Sequence, residues 1–165
     1  MAIPPNSSGT KPPVPLFVST PEQLQACVNK AAKYSVIAVD TEFIRTDTFF
    51  PILGLVQIFN GEDCWLIDPL AISDLSPLAE LLINGNVIKV FHSCSEDLEV
   101  LKHVLGCIPQ PLFDTQSAAA FSGYGFSRGY ASLVESILGI HVEKGETRSD
   151  WLRRPLADSQ LRYAA

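Results

Sequence analysis

The sequence contains few basic residues. Of its 165 residues, 12 are Lys or Arg and 18 are Asp or Glu, which gives a formal net charge of −6 at pH 7. A protein that binds nucleic acid through a broad basic surface needs many Lys and Arg side chains at the phosphates, so this composition excludes that class. Any nucleic-acid site would have to be local, with carboxylates holding cations that supply the positive charge.

Long apolar runs and paired cysteines are also lacking. Charged residues or Pro interrupt every apolar segment, so none reaches the roughly 18 residues of a membrane span. The four Cys residues are scattered, with no C-x-x-C pair and no His spacing typical of a zinc site, which favours reduced thiols over zinc ligands or disulfides. Residues 1–15 are rich in Pro and Ser without an apolar signal-peptide core, and we expect a flexible leader on a cytoplasmic protein. The 47% hydrophobic content predicts a single domain.

An apolar, β-branched run at residues 36–43 ends in two acids, Asp40 and Glu42. Because side chains alternate faces along a strand, these two carboxylates project to the same side, close enough to share a cation. Two bare carboxylates repel each other, so either one is protonated or metal ions neutralise the pair. Such hard oxygen ligands suit Mg²⁺ or Mn²⁺. The Asp-x-Glu spacing alone is weak, since it occurs by chance in about half of chains of this size.

The pattern of the chain predicts an α/β fold. In residues 52–59, Leu53, Leu55, Gln57 and Phe59 are expected on one face of a long strand, and the turn at residues 60–61 returns the chain antiparallel. Helices and strands then alternate, so we predict a mixed β-sheet, an antiparallel meander plus parallel strands, flanked by helices. The expected strands are 14–19, 36–42, 52–59, 64–67, 87–91 and 112–114; the expected helices are 20–32, 75–82, 95–105, 115–121, 131–138 and one from residue 157 or 158.

Asp97 is the third acid of interest. It lies in the first turn of a helix that Ser95 is expected to cap, after a buried strand and the polar turn that begins at His92. In an arbitrary helix, acids at this position form a solvated face that favours the positive end of the helix dipole. Here the turn lies at the edge of the sheet where α/β proteins place their sites, which favours a functional role.

Together these residues resemble the exonuclease domain of the ribonuclease D family, in the DEDD superfamily of metal-dependent 3′–5′ exonucleases. The first family motif is Asp40 to Phe43, and the second runs from His92 through Asp97. The third is Tyr-x-x-x-Asp; Tyr163 matches its first member, and the fourth carboxylate would lie two residues past Ala165. The resemblance implies a ribonuclease H-like exonuclease domain at residues 16–165, cut short within its third motif. Segments 51–57, 66–70, 114–116, 150–156 and 160–165 are also family-like.

The resemblance implies a two-metal exoribonuclease that removes nucleotides from RNA 3′ ends, tRNA precursors being the family's usual substrate, with Mg²⁺ or Mn²⁺. It implies that Asp40 bridges both ions, Glu42 holds the water-activating ion and Asp97 serves the other. Tyr163 orients the attacking water. No stable protein partner and no membrane are implied. The expected contacts to the terminal nucleotide come from three residues, Phe43, Gln57 and His92.

Structural roles for several of these residues remain open. His92 is as consistent with stabilising its turn as with touching substrate, and Gln57, an amide among apolar neighbours, needs a hydrogen-bond partner in either case. Asp114 fits a helix cap better than a metal ligand. Without the resemblance, Trp151 would be assigned to the core. At Ala157 a Ser or Thr would complete a capping box with the Gln three residues later, so that helix start is expected to fray.

Two other functions are compatible with the sequence. A catalytically incomplete fragment would bind RNA 3′ ends without cleaving them, because only three of the four family carboxylates are present. A DNA-directed exonuclease would use the same acids, although the family-like segment around Trp151 argues against it. Sugar preference cannot be read from the residues.

Overall fold

The computed structural model describes residues 14–142, 145–146 and 149–165. Most of the expected leader, residues 1–13, lies outside this part of the chain. Within it, every predicted element is present, with bounds that agree to within two residues. The elements are β1 (Leu16–Val18), α1 (Pro21–Ala31), β2 (Val36–Ile44), β3 (Ile52–Phe59), β4 (Cys64–Ile67), α2 (Ser76–Ile83), β5 (Ile88–Phe91), α3 (Ser95–Leu105), β6 (Leu112–Asp114), α4 (Thr115–Phe121), α5 (Tyr130–Leu138) and α6 (Asp158–Tyr163).

A six-stranded mixed sheet organises the fold, in the order β1-β4-β3-β2-β5-β6. Strands β2, β3 and β4 form the predicted antiparallel meander, whereas β1, β5 and β6 each run parallel to a neighbour. A large apolar core lies between the sheet and helices α1, α2 and α3. A smaller core, centred on Trp151, packs against partly buried Leu161 of α6. The acid-bearing strand β2 is therefore an interior strand, with α3 beside one face of the sheet.

A β-bulge at Gly54 changes the predicted face of one residue. Glu42 of β2 pairs with Leu55, but the next residue, Phe43, pairs with Leu53, so Gly54 is the extra residue in β3. Leu53 consequently packs in the large core, whereas Leu55 packs in the small one. The prediction that Leu53 shares a face with Leu55 and Gln57 was wrong, because a bulge reverses the alternation of side chains. A glycine inside a strand was the available signal.

We predict that Gly54→Ala destabilises the fold by about 2–4 kcal/mol, at or above the usual cost of overpacking a core. An added Cβ would lie 2.6 Å from the carbonyl oxygen of Trp151 and 2.8 Å from its Cβ, so the strand or the Trp151 segment would have to move. Urea unfolding measures the loss. The matched control is Gly85→Ala, where a Cβ meets open space; equal midpoints for the two variants would contradict the close approach.

The starts of two helices test the capping predictions. Thr20 accepts from the backbone N–H of Gln23 at 3.3 Å while the Gln23 side chain accepts from the Thr20 N–H at 3.2 Å, a complete capping box for α1. The prediction that Ser95 caps α3 was wrong. Ser95 is the first helical residue, and Cys94 occupies the cap position without a side-chain hydrogen bond. The left-handed backbone of Ser93, with φ 61°, turns the chain into the helix one residue earlier.

The cysteine and membrane expectations are also tested by the fold. Cys27, Cys64, Cys94 and Cys107 are all unpaired, as expected for reduced thiols. Three of them are buried, where a thiol behaves as a small apolar side chain. Among the described residues, no helix has the length and apolar character needed to cross a membrane.

Candidate active site

The site is built on the last residues of β2. Along this strand Ile37, Val39 and Thr41 are buried, and the residues between them face the other way. Asp40 and Glu42 therefore extend from the same face, as the alternation predicted. The Glu42 carboxyl lies beside the Gln57 amide of β3, whose Nε2 is 3.4 Å from Glu42 Oε1.

The protonation of these acids reflects crowding. Although the Asp40 side chain is partly exposed to solvent, desolvation by surrounding protein atoms and then the charge of Asp97 raise the pKa of Asp40 to about 6. Desolvation, followed by the charge of Asp40, raises the pKa of Glu42 to about 8. Desolvation also raises the pKa of Asp97. The three carboxyls are thus close enough to oppose one another's ionisation. A bound cation would stabilise their ionised forms and lower their pKa values.

Asp97 reaches this group from the first turn of α3. Its side chain is buried, with 7% of the residue exposed, and its Oδ1 accepts a hydrogen bond of 2.5 Å from the Thr41 hydroxyl. Two residues further along α3, Glu99 pairs with Arg45 at 2.5 Å, beyond the end of β2. The alternative that these acids form one solvated helix face therefore holds only in part. Asp97 points into the protein, whereas Glu99 lies at the surface.

Tyr163 belongs to α6 and lies at the same place. It is 37% exposed, and its ring centroid is 6.1 Å from that of Trp151. Desolvation, followed by the charges of Glu42 and Asp40, raises the pKa of the Tyr163 phenol. The hydroxyl is therefore protonated at neutral pH and close to the two carboxylates of β2.

The donor set fits a hard divalent cation. Asp40, Glu42 and Asp97 offer only carboxylate oxygens, the ligands that Mg²⁺ and Mn²⁺ prefer. Desolvation first, and then the charge of a neighbouring carboxyl in the case of Asp40 and Glu42, raises their pKa values, so the carboxylate forms are destabilised without a cation. Among the described residues, however, no three Asp, Glu, His or Cys side chains already converge around one point. Coordination of a single ion by all three carboxylates would therefore need side-chain movement.

A family model described as a 3′–5′ exonuclease matches residues 15–165. The chain belongs to this 3′–5′ exonuclease family. Ribonuclease D of Pseudomonas paraeruginosa is 57% identical over 129 residues, covering 78% of this chain and 34% of that protein. Ribonuclease D of Escherichia coli is 48% identical over 149 residues, covering 90% of this chain and 40% of that protein. The resemblance to ribonuclease D is thus confirmed.

Solved structures agree with the predicted fold. The crystal structure of Escherichia coli RNase D superposes with a TM-score of 0.88 at 47% identity, covering 91% of this chain and 40% of that one. Trypanosoma brucei RNase D, solved in complex with RNA U12, gives a TM-score of 0.79 at 26% identity, covering 92% of this chain and 57% of that one. The ribonuclease H-like exonuclease fold is therefore confirmed. The chain spans 34–42% of the length of curated relatives that it matches.

Two of the expected substrate contacts in this exonuclease domain lie beside the acids. Gln57 pairs across the sheet with Asp40 and is buried, and its Oε1 has no hydrogen-bond partner among the described residues. Phe43 is half-buried and packs partly against the large core. Their contacts with a nucleotide stay predictions.

The contacts of His92 support the structural alternative. Its Nδ1 lies 2.9 Å from Thr115 Oγ1, and its Nε2 lies 3.0 Å from the Arg128 carbonyl oxygen. The ring also meets the edge of Tyr130. Both ring nitrogens are therefore engaged in fastening the turn after β5 to the loop before α5, and a direct contact between His92 and substrate stays a prediction.

Asp114 caps a helix, as predicted. Its Oδ1 accepts from the N–H groups of Gln116 and Ser117 at the start of α4, at 2.7 and 3.0 Å. The same carboxylate accepts from the N–H groups of Ser93 and Cys94, in the turn that precedes Asp97. Desolvation opposes ionisation, but these backbone hydrogen bonds prevail and lower the pKa of Asp114 to about 2. Asp114 thus fixes the turn that delivers α3 to the site.

We predict that Asp114→Ala lowers the free energy of unfolding by about 1–2 kcal/mol at pH 7, the usual cost of losing a cap. The folded-state pKa is depressed from 3.8 to about 2, so the contribution of ionised Asp114 is present above pH 3.8 and is lost as the pH falls through 2. Urea unfolding from pH 2 to 7 should show the gap between parent and variant closing in acid. Asp114→Asn, which keeps a capping oxygen, should lose less at pH 7; a gap independent of pH would contradict the assignment.

Sequence reasoning missed the ion pair that secures the segment before α6. Arg154 donates to both carboxylate oxygens of Asp68 at 2.7 Å, and also to the carbonyl oxygens of Gly54 at 2.7 Å and Trp151 at 2.9 Å. Trp151 is 2% exposed and packs in the small core, so the structural reading of this residue is correct. Family-like spacing at residues 150–156 was the only signal, and it gave no partner for Arg154.

Proposed function

We propose that the protein to which this chain belongs is a 3′–5′ exoribonuclease of the ribonuclease D type. The observation that carries the proposal is a group of three carboxyls that repel one another. These are Asp40, Glu42 and Asp97, near the end of β2, with the Tyr163 phenol beside them. An acidic cluster of this kind needs no basic surface to receive a phosphodiester, because cations supply the charge. This agrees with the net charge of −6.

Asp40, Glu42 and Asp97 would hold two divalent ions, Mg²⁺ or Mn²⁺. Such ions, when bound, lower the pKa of a coordinated water and neutralise charge on the phosphate and leaving oxygen. Glu42 would also accept a hydrogen bond from the terminal 3′-hydroxyl. Tyr163 would orient the attacking water through its hydroxyl, which stays protonated because its neighbours raise its pKa.

RNA 3′ ends are the proposed substrate, with tRNA precursors as the natural source. The structural relative solved with RNA U12 supports an RNA ligand. Phe43 would stack on the terminal base, and the unpaired Oε1 of Gln57 would accept a hydrogen bond from the last nucleotide. His92 would either contact the substrate directly or stabilise the turn that precedes Asp97. Four unpaired cysteines favour a reducing compartment such as the cytoplasm.

The test is trimming of a 5′-labelled RNA in Mg²⁺ or Mn²⁺. Three proteins are compared: the 165-residue chain, a chimera in which the Escherichia coli ribonuclease D sequence continues it after Ala165, and the chimera with Glu42→Gln. The proposal expects the chimera to produce a ladder that loses one nucleotide at a time, with EDTA or Glu42→Gln abolishing the ladder. The 165-residue chain should be weaker, because only three of the family carboxylates lie within it.

The alternative function predicts a different pattern. If neither the chain nor the chimera cuts, yet both retain RNA with a free 3′-hydroxyl over RNA with a blocked 3′ end, the domain is an RNA-end-binding module. Trimming of single-stranded DNA with no trimming of RNA would instead assign a DNA-directed exonuclease. Cleavage that survives EDTA would overturn the metal-dependent mechanism.

A further inference from the structure

Thr41 differs from its neighbours on the buried face of β2. Ile37 and Val39 precede it on that face, are 1% and 4% exposed, and belong to the large apolar core. Thr41 is equally buried, at 6%, but it carries a hydroxyl where Val would fit an apolar environment. A buried hydroxyl is costly unless it is hydrogen-bonded, and the described partner of this one is Asp97 Oδ1 at 2.5 Å.

We infer that Thr41 is a positioning residue that holds the Asp97 carboxylate in the orientation needed to bind a divalent cation. The inference rests on the proposed metal-dependent function and adds to it a residue between the two family acids of β2. By occupying Oδ1, the hydroxyl restrains the rotation of the carboxylate, and Oδ2 would be the oxygen left to hold an ion. Partners of this kind orient metal ligands and contribute to affinity without touching the metal.

The local geometry explains why the site needs such a restraint. Asp40 and Glu42 extend from the opposite face of β2, and their charges repel Asp97 in the absence of a cation. Without the Thr41 hydroxyl, the Asp97 carboxylate would lose a side-chain hydrogen bond that opposes this repulsion. Thr is stiff about χ1 because it is β-branched, so its hydroxyl offers a fixed anchor on a strand. The bond also ties α3 to β2 at the point where both approach the site.

The experiment compares Thr41→Val, which keeps the shape and removes the hydroxyl, with Thr41→Ser, which keeps the hydroxyl. Mn²⁺ affinity of the chimera that continues the chain after Ala165 is measured by titration calorimetry at pH 8, with no RNA present. Thr41→Val should bind Mn²⁺ at least about tenfold more weakly, and Thr41→Ser, which keeps the hydroxyl on a less rigid side chain, should lie much closer to the parent affinity. Val39→Ala, a core change on the same face, controls for destabilisation, since it should lower Tm without changing Mn²⁺ affinity.

The outcomes separate this inference from the proposed function. If the parent binds Mn²⁺ and Thr41→Val binds it equally well, the positioning role is overturned while the metal site stands. If Val39→Ala or Thr41→Ser weakens binding as much as Thr41→Val, packing rather than the hydroxyl controls the site, and the inference again fails. If the parent chimera does not bind Mn²⁺, both the metal assignment and the inference are overturned.

Discussion

Replacing Arg154 with Ala should lower the free energy of unfolding by about 3–5 kcal/mol at pH 7, the range for breaking a buried ion pair. The Asp68 side chain is only 5% exposed and that of Arg154 24%, so the substitution leaves a buried carboxylate without its cation. It also removes the donor to the Gly54 and Trp151 carbonyl oxygens. Urea unfolding monitored by the fluorescence of the two buried tryptophans, Trp65 and Trp151, would measure the loss.

Two control variants separate the ion pair from general effects of charge. Arg153→Ala removes an exposed cation next in sequence and should change stability by less than about 0.5 kcal/mol. Arg154→Lys keeps the charge but not the planar set of donors, so it should lie between the parent and Arg154→Ala. If Arg154→Ala were no worse than Arg153→Ala, the Asp68 pair would not hold this segment.

The ion pair also has a pH dependence of known sign. Desolvation opposes ionisation of Asp68, but the hydrogen bonds from Arg154 prevail and lower the pKa of Asp68 below 3.8. The contribution of the pair is therefore present above the unfolded pKa and is lost as the pH falls through the lower folded value. The difference between parent and Arg154→Ala should consequently shrink in acid.

Arg154 matters for the site because its segment leads directly into α6. The Gln160 side chain donates to the Asp150 carbonyl oxygen at 3.1 Å and accepts from the N–H of Ala157 at 2.9 Å. Half of the capping box expected to be missing is therefore present, and the start of α6 is tied to the Trp151 segment. Tyr163 lies on that helix, so an anchored segment keeps its phenol beside Glu42.

The sequence was sufficient where local periodicity decides the structure. Alternation along β2 correctly placed Asp40 and Glu42 on one face, and the turn at residues 60–61 correctly predicted the hairpin. Capping preferences identified the role of Asp114. These features depend on residues a few positions apart, which a single sequence displays directly.

Features that depend on distant residues escaped prediction. Lys89 lies in a strand whose position was correctly predicted, yet nothing nearby indicates that its side chain is buried and donates to the carbonyl oxygens of Asn84, Val87 and Gln110. The bond between Thr41 and Asp97 joins residues 56 positions apart, and that between Arg154 and Asp68 joins residues 86 apart. Such pairings depend on strand register and helix placement, which no local pattern encodes.

Replacing Asp40 with Asn should reduce RNA trimming by the chimera at least about a thousandfold, equivalent to about 4 kcal/mol of transition-state stabilisation. Asp40 is the acid proposed to contact both ions, and an amide oxygen is a weaker, uncharged ligand for a hard cation. Single-turnover trimming with excess enzyme would measure the rate independently of product release. The matched control is Asp47→Asn, an exposed acid in the following loop, which should leave the rate unchanged.

The same Asp40→Asn substitution should stabilise the metal-free chain at pH 8. The pKa of Glu42 is raised from 4.5 to about 8 and that of Asp40 from 3.8 to about 6, so the folded state binds these protons more tightly than the unfolded state. Their contribution is present below the unfolded pKa values and is lost as the pH rises through the folded ones. Asp40→Asn removes one of the two charges, so its Tm should exceed that of the parent in EDTA at pH 8 and approach it at pH 4.

Addition of Mn²⁺ should reverse the order of the two Tm values at pH 8, because only the parent keeps all three carboxylates for the ion. A variant less stable than the parent in EDTA at pH 8 would mean that Asp40 serves packing rather than metal binding.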